Sequence, residues 1–139
     1  MDRDLIAVKL ESLRHCVARV REKCPGEVAV LQSDPDRQDI VVLNLSRAVQ
    51  LCVDICAHLL SATDAGVPET MMQSIIESQQ MGFISTDTAS ALGKAIGFRN
   101  IAVHQYTALD WGVVHSVCEK KLDSFESFAR EIMASVQLD

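Results

Sequence analysis

From Asp34 to Leu60 the chain places apolar residues at helical intervals with no glycine, and with no proline after Pro35. That single stretch of about seven turns constrains the fold more than any other. Asp34 suits an N-cap, Pro35 the first helical position, and Asp36 complements the helix dipole. Val41, Leu45, Val49, Cys52, Cys56 and Leu59 make one apolar stripe. A helix so apolar must be covered on more than one side, which calls for other helices around it. A second stripe is polar: Asn44, Arg47, Leu51, Asp54 and His58 fall within ~80° on a helical wheel. It reads either as a solvated face with an Asp54–His58 pair at i, i+4, or as the polar wall of an active cleft or subunit interface.

The flanking sequence supplies the covering helices. A first helix is expected over about residues 3 to 22, with Ile6, Leu10, Leu13, Val17 and Val20 inward, stopped by Cys24-Pro25-Gly26. Residues 26 to 33 read as a connection whose Val28–Leu31 run packs on the core. After a loop from Ser61 to Val67, Pro68 and Glu69 open a short helix carrying Met72, Ile75 and Ile76, and Gly82 ends it as a C′ residue. Ser85 or Thr86 caps the next helix, which buries Ala89, Leu92, Ile96 and Val103. Its Gly93 and Gly97 leave room for a close neighbour. Asp110 caps a final helix with Val114, Cys118, Leu122, Phe125, Phe128 and Ile132 inward and Trp111 as an anchor. The expected fold is all-α: an antiparallel up-and-down four-helix bundle with an additional short helix, in one domain over residues 1–139.

Composition narrows the function. The net charge of −6 argues against broad, nonspecific nucleic-acid binding, which needs a basic surface, but leaves room for a local basic cleft. No apolar run approaches the ~20 residues of a membrane span, and Met1-Asp2-Arg3-Asp4 lacks the shape of a signal peptide. A cytoplasmic protein without a membrane is expected. The five cysteines, 16, 24, 52, 56 and 118, include no C-x-x-C pair and read as reduced core thiols. A zinc site from Cys52, Cys56 and a histidine is disfavoured, and neither metal nor cofactor is expected. His15 and His115 read as surface or packing residues.

The densest chemistry lies in Gly97-Phe98-Arg99-Asn100-Ile101-Ala102-Val103-His104-Gln105-Tyr106. At ~100° per residue, Arg99 and Tyr106 share a helix face, as do Asn100 and His104, but His104 points ~140° away from Arg99. Convergence of Arg99, His104 and Tyr106 therefore requires the helix to end near Val103 or His104 and the chain to turn. An isolated Arg and His at a helix end would ordinarily serve as a cap and dipole device.

The form R-x4-H-x-Y, with its Gly-Phe lead-in, resembles the signature of the HEPN superfamily and its HepT-like toxin branch. Residues 43–60 and Gly82-Phe83-Ile84 are similar to that branch as well, so the resemblance covers about residues 35 to 132. It implies a small helical ribonuclease that works without a metal, commonly as a homodimer with motif residues of both subunits facing a shared cleft. It also implies a partner: a minimal nucleotidyltransferase antitoxin, MntA, which silences the toxin by transferring AMP from ATP onto the motif tyrosine. On this resemblance Arg99 and His104 would be catalytic and Tyr106 the adenylylated residue. Asn100 would have a supporting role. Arg47, Asp54 and His58 of the polar stripe are further supporting candidates.

The chemistry suits those side chains. Metal-free RNA cleavage needs a base for the 2′-OH, an acid for the leaving 5′-oxygen and a cation for the phosphorane-like transition state. His104 has the intrinsic pKa for proton transfer near neutrality, and Arg99 has a fork matched to phosphate oxygens. One chain supplies one motif histidine; a two-fold dimer supplies two. The competing expectation is a non-catalytic HEPN binding subunit that partners a nucleotidyltransferase and presents substrate or nucleotide to it. The acidic surface favours that reading, and the intact Arg99–His104 pair disfavours it.

Overall fold

The computed structural model describes residues 1–138 and is helical throughout, with no strand among them. Seven α-helices follow in order: α1 (Arg3–Lys23), α2 (Val28–Ser33), α3 (Pro35–Ser61), α4 (Met71–Gln80), α5 (Thr86–His104), α6 (Trp111–Lys120) and α7 (Asp123–Val136). A 3-10 turn, Tyr106–Ala108, lies between α5 and α6. The central helix is α3, which packs against α1, α2, α4, α5 and α7.

Paired ends give the topology. Asp2 reaches His58, and Arg37 reaches Lys23, so α1 and α3 run antiparallel. Tyr106, just past α5, meets Asp39 near the start of α3, which sets α5 against α3. Arg21 pairs with Asp123 and Glu126, and Glu131 receives the Ser85 backbone N–H and, at 2.6 Å, the Thr88 hydroxyl. Helix α7 is thus antiparallel to both α1 and α5. The four long helices form the up-and-down bundle, with Ile6, Leu13, Leu45, Ile55, Leu92, Phe128 and Ile132 fully buried among them.

The caps follow the local sequence. Asp34 accepts the Asp36 and Arg37 backbone N–H groups, Ser85 accepts that of Thr88, and Asp110 accepts those of Gly112 and Val113. Gly82 sits at φ +81° after α4, a conformation that glycine adopts without a Cβ penalty.

Several expectations change. The connection at 26–33 contains a helix, α2, whose Leu31 is buried. The short helix α4 begins at Met71 with Thr70 as its cap, later than Pro68 and Glu69 suggested. The final helix is two: the chain breaks at Lys121–Leu122, with no glycine or proline to mark it. Packing accounts for the break, since α6 lies on α2 while α7 lies on α1 and α5. Val103 is 51% exposed rather than core. A Cβ at Gly93 would come 3.3 Å from the Met72 methyl, so α4 does approach closely there, whereas Gly97 faces open space. One helix, α3, is long and apolar enough to cross a bilayer, contrary to expectation, but more than half of that window is buried inside the bundle. Its apolar character is that of a core helix.

Candidate active site at the end of α5

The motif straddles a helix end. Helix α5 runs to His104, and Gln105 leaves the helical region at φ −142° and ψ 56°. The bend falls at the expected place, but with His104 still on the helix it redirects Tyr106 alone. Arg99 and His104 remain ~140° apart around one axis. Among the described residues, Arg99, His104 and Tyr106 make no hydrogen bond to one another. Arg99 is half-buried, and its guanidinium lies 3.5 Å from the Asn100 side-chain oxygen, a long contact. Asn100 is exposed and touches the motif only through that contact.

Arg99 and His104 are otherwise uncommitted. Arg14, Arg19, Arg21 and Arg37 each pair with a carboxylate. Arg99, like Arg3, Arg47 and Arg130, pairs with none among the described residues, although acids outnumber bases by 19 to 13 in the chain. His104 is exposed on the last turn of α5, and its imidazole has no carboxylate partner among the described residues.

Tyr106 is held. Its hydroxyl donates to the Asp39 carboxylate at 2.6 Å, and its ring meets Trp111 edge-on at 5.9 Å. Burial raises the phenol pKa, and the hydrogen bond and charge of Asp39 raise it further, to about 12. The ring still keeps 37% of its surface exposed. Asp39 escaped the sequence reading because it lies 67 residues from Tyr106, and no local pattern links them. The chain has one tyrosine, so its ultraviolet titration is unambiguous. In Asp39→Asn the midpoint is expected to fall from about 12 toward the ordinary 10, stopping short because burial remains. An unchanged midpoint would show that Asp39 does not hold the phenol in solution.

The polar stripe divides. Asn44 is buried and bonds back to the Ile40 carbonyl at 2.8 Å. Asp54 accepts from Gln50 at 2.8 Å and lies 3.9 Å from Lys9, while His58 accepts the Asp2 backbone N–H at 3.0 Å. The expected Asp54–His58 pair therefore does not form. At 1.5 Å per residue along α3, Arg47, Asp54 and His58 lie roughly 12, 22 and 28 Å from Asp39. Asp54 and His58 are thus at the far end of the bundle from Tyr106 in the same chain. Arg47 and Asp54 line a separate groove against α1 with Glu11, Ser12 and His15. Cys52 and Cys56 are buried, and burial pushes both thiols up. They are core thiols, as expected.

Beside the motif, between α5 and α6–α7, opens an apolar cavity of about 670 Å3 lined by Ala95, Phe98, Ile101, Leu109, Val113 and Val117. Ile101 and Val113, which line it, expose about half of their surface, as does Val103 on the other face of α5.

A family model described as ribonuclease HepT-like matches residues 13–132. The chain belongs to the HepT-like ribonuclease family. By family it is an endoribonuclease of the HEPN type, and the resemblance to the HepT-like branch is borne out. It is 32% identical over 131 residues to the mRNA nuclease HepT of Shewanella oneidensis, covering 94% of this chain and 98% of that one. It is 26% identical over 97 residues to the tRNA nuclease HepT of Aphanizomenon flos-aquae, covering 70% of this chain and 66% of the relative. Among solved structures, the tri-AMPylated Shewanella oneidensis HEPN toxin in complex with MNT antitoxin superposes with a TM-score of 0.88 at 32% identity, over 96% of this chain and 99% of that one.

Proposed function

We propose that this HepT-like protein, acting over residues 1–139 as one domain, is the ribonuclease toxin of a toxin–antitoxin pair. It cleaves RNA without a metal, in the cytoplasm, at a site formed across a homodimer. A nucleotidyltransferase antitoxin silences it by adenylylating Tyr106. The observation that carries the reading is the state of the α5 end: Arg99 and His104 uncommitted in an acidic chain, with Tyr106 displayed two residues further on. A structural cap would have used those groups.

In this mechanism His104 removes the 2′-OH proton, and the resulting alkoxide attacks the adjacent phosphorus. The second copy's His104 protonates the leaving 5′-oxygen. Arg99 holds the non-bridging oxygens, on which charge grows. A dimer has a geometric reason. The two catalytic side chains of one α5 diverge by ~140°, so a second α5 end is the economical source of the missing proton donor. The exposed Ile101, Val103 and Val113 beside the motif offer apolar area for that contact. Silencing follows from the same placement. AMP on Tyr106 puts an anion and a purine next to Arg99, where an RNA phosphate must bind. Cleavage needs the RNA substrate and no cofactor, whereas silencing takes its AMP from ATP and releases pyrophosphate.

Light scattering joined to an RNA cleavage assay in chelator tests the dimer. Activity is expected to elute with a species of twice the chain mass. Cleavage by a monomer at assay concentration would refute the shared site.

A further inference from the structure

A second cluster of reactive side chains lies away from the motif, where the end of α1 meets α6. Cys24 is the C-cap of α1, and α6 contributes His115, Cys118 and Glu119. The donor atoms of Cys24, His115 and Glu119 all lie within 4.8 Å of one another. His115 Nε2 and the Glu119 carboxylate are 3.7 Å apart. A tetrahedral zinc site with bonds of about 2.0–2.3 Å has its ligand atoms roughly 3.3–3.8 Å apart. The His115–Glu119 separation already matches that edge, and the Cys24 thiol lies within 4.8 Å of both, at most about 1.5 Å beyond it. Cys118 lies on the same side of α6, one turn on from His115.

We propose that Cys24, His115 and Glu119, with Cys118 or a water in the fourth position, bind a single divalent zinc-class ion. Three unlike donors from two separate helices converge on one point. The i, i+3, i+4 spacing of His115, Cys118 and Glu119 directs all three toward one side of α6. Thiolate, imidazole and carboxylate together select a borderline ion over calcium or magnesium. Thiolate and carboxylate balance the two positive charges. The His115 ring is half-buried and fixed by a 2.8 Å contact between Nε2 and the Pro25 carbonyl. Zinc at Nε2 takes the place of the Pro25 contact, and the ring proton moves to Nδ1. The ion would be a clip rather than a catalyst. Helix α6 rests chiefly on the six-residue α2, and the clip ties it directly to α1. The start of α6 carries Trp111, which packs on Tyr106, so the clip also steadies the wall behind the tyrosine. This site is independent of the ribonuclease reading.

The test titrates zinc and cobalt into the full chain kept reduced after chelation, with a competing chelator to measure affinity. One equivalent per chain is expected, with a thiolate-to-cobalt charge-transfer band and a raised melting temperature in zinc. Cys24→Ser and Glu119→Gln should each weaken binding by more than about 100-fold, beyond the loss from an outer-shell contact. Glu119 is exposed, so its variant tests the site without risk to the core. His15→Ala, in a different groove, should bind as wild type does. No stoichiometric binding, a cobalt spectrum without the thiolate band, or unchanged affinity in both variants overturns the proposal.

Discussion

Replacing His104 by alanine is expected to reduce RNA cleavage by roughly 10²–10⁴-fold, the range for a positioned proton-transfer group, with an almost unchanged melting temperature. The separation of the two effects is what makes the prediction sharp. The His104 side chain is exposed and makes no hydrogen bond or ion pair among the described residues, so its truncation removes no side-chain contact that holds the fold. Surface changes of that kind stay within about 0.5 kcal/mol. If a dimer shares two copies of His104, both proton transfers fail together, and the loss lies toward the upper end of the range. Rates and melting curves on matched preparations check it. Equal cleavage by wild type and variant would instead favour a non-catalytic HEPN subunit that presents substrate or nucleotide to a nucleotidyltransferase.

Tyr106→Phe is expected to keep substantial ribonuclease activity while escaping the antitoxin completely. Phenylalanine retains the ring that meets Trp111 and loses only the hydroxyl bonded to Asp39. Because Asp39 is exposed and can be solvated, the cost to stability is about 1 kcal/mol. The phenol, by contrast, is the sole tyrosine hydroxyl in the chain. Without it no O-tyrosyl adduct can form. Co-expression with a cognate nucleotidyltransferase should rescue growth for wild type and fail for the variant. Intact-mass measurement should find AMP on wild type alone. An adduct on Tyr106→Phe would move the modification to another residue, and lost cleavage would make the tyrosine catalytic. The phenol's pKa of about 12 adds a requirement. Transfer at neutral pH needs a base to take the proton, and Asp39 already accepts that hydrogen bond.

The helical skeleton was legible because its signals are local. Asp34, Ser85 and Asp110 were read as caps and act as caps. The apolar stripe of α3 implied covering helices, and five pack against it: α1, α2, α4, α5 and α7. The break between α6 and α7 was not legible, because it comes from two different packing partners rather than from any residue at Lys121 or Leu122. In the site, the end of α5 near His104 falls where the sequence places it, but the convergence of Arg99 with His104 that argued for it does not occur within one chain. Asp39 could not be placed from the sequence, since its role arises only when the start of α3 folds against the 3-10 turn. The stripe through Arg47, Asp54 and His58 misled in the opposite way. Its residues share a face, but the face spans most of α3, and shared azimuth says nothing about distance along the axis.

The most direct measurement is the chemistry of the cut ends. RNA incubated with the protein in excess chelator should yield 2′,3′-cyclic phosphate and 5′-hydroxyl termini, and these should be absent with His104→Ala. Products ending in 3′-hydroxyl and 5′-phosphate, or cleavage that chelator abolishes, would contradict 2′-OH attack by a metal-free Arg99–His104 site.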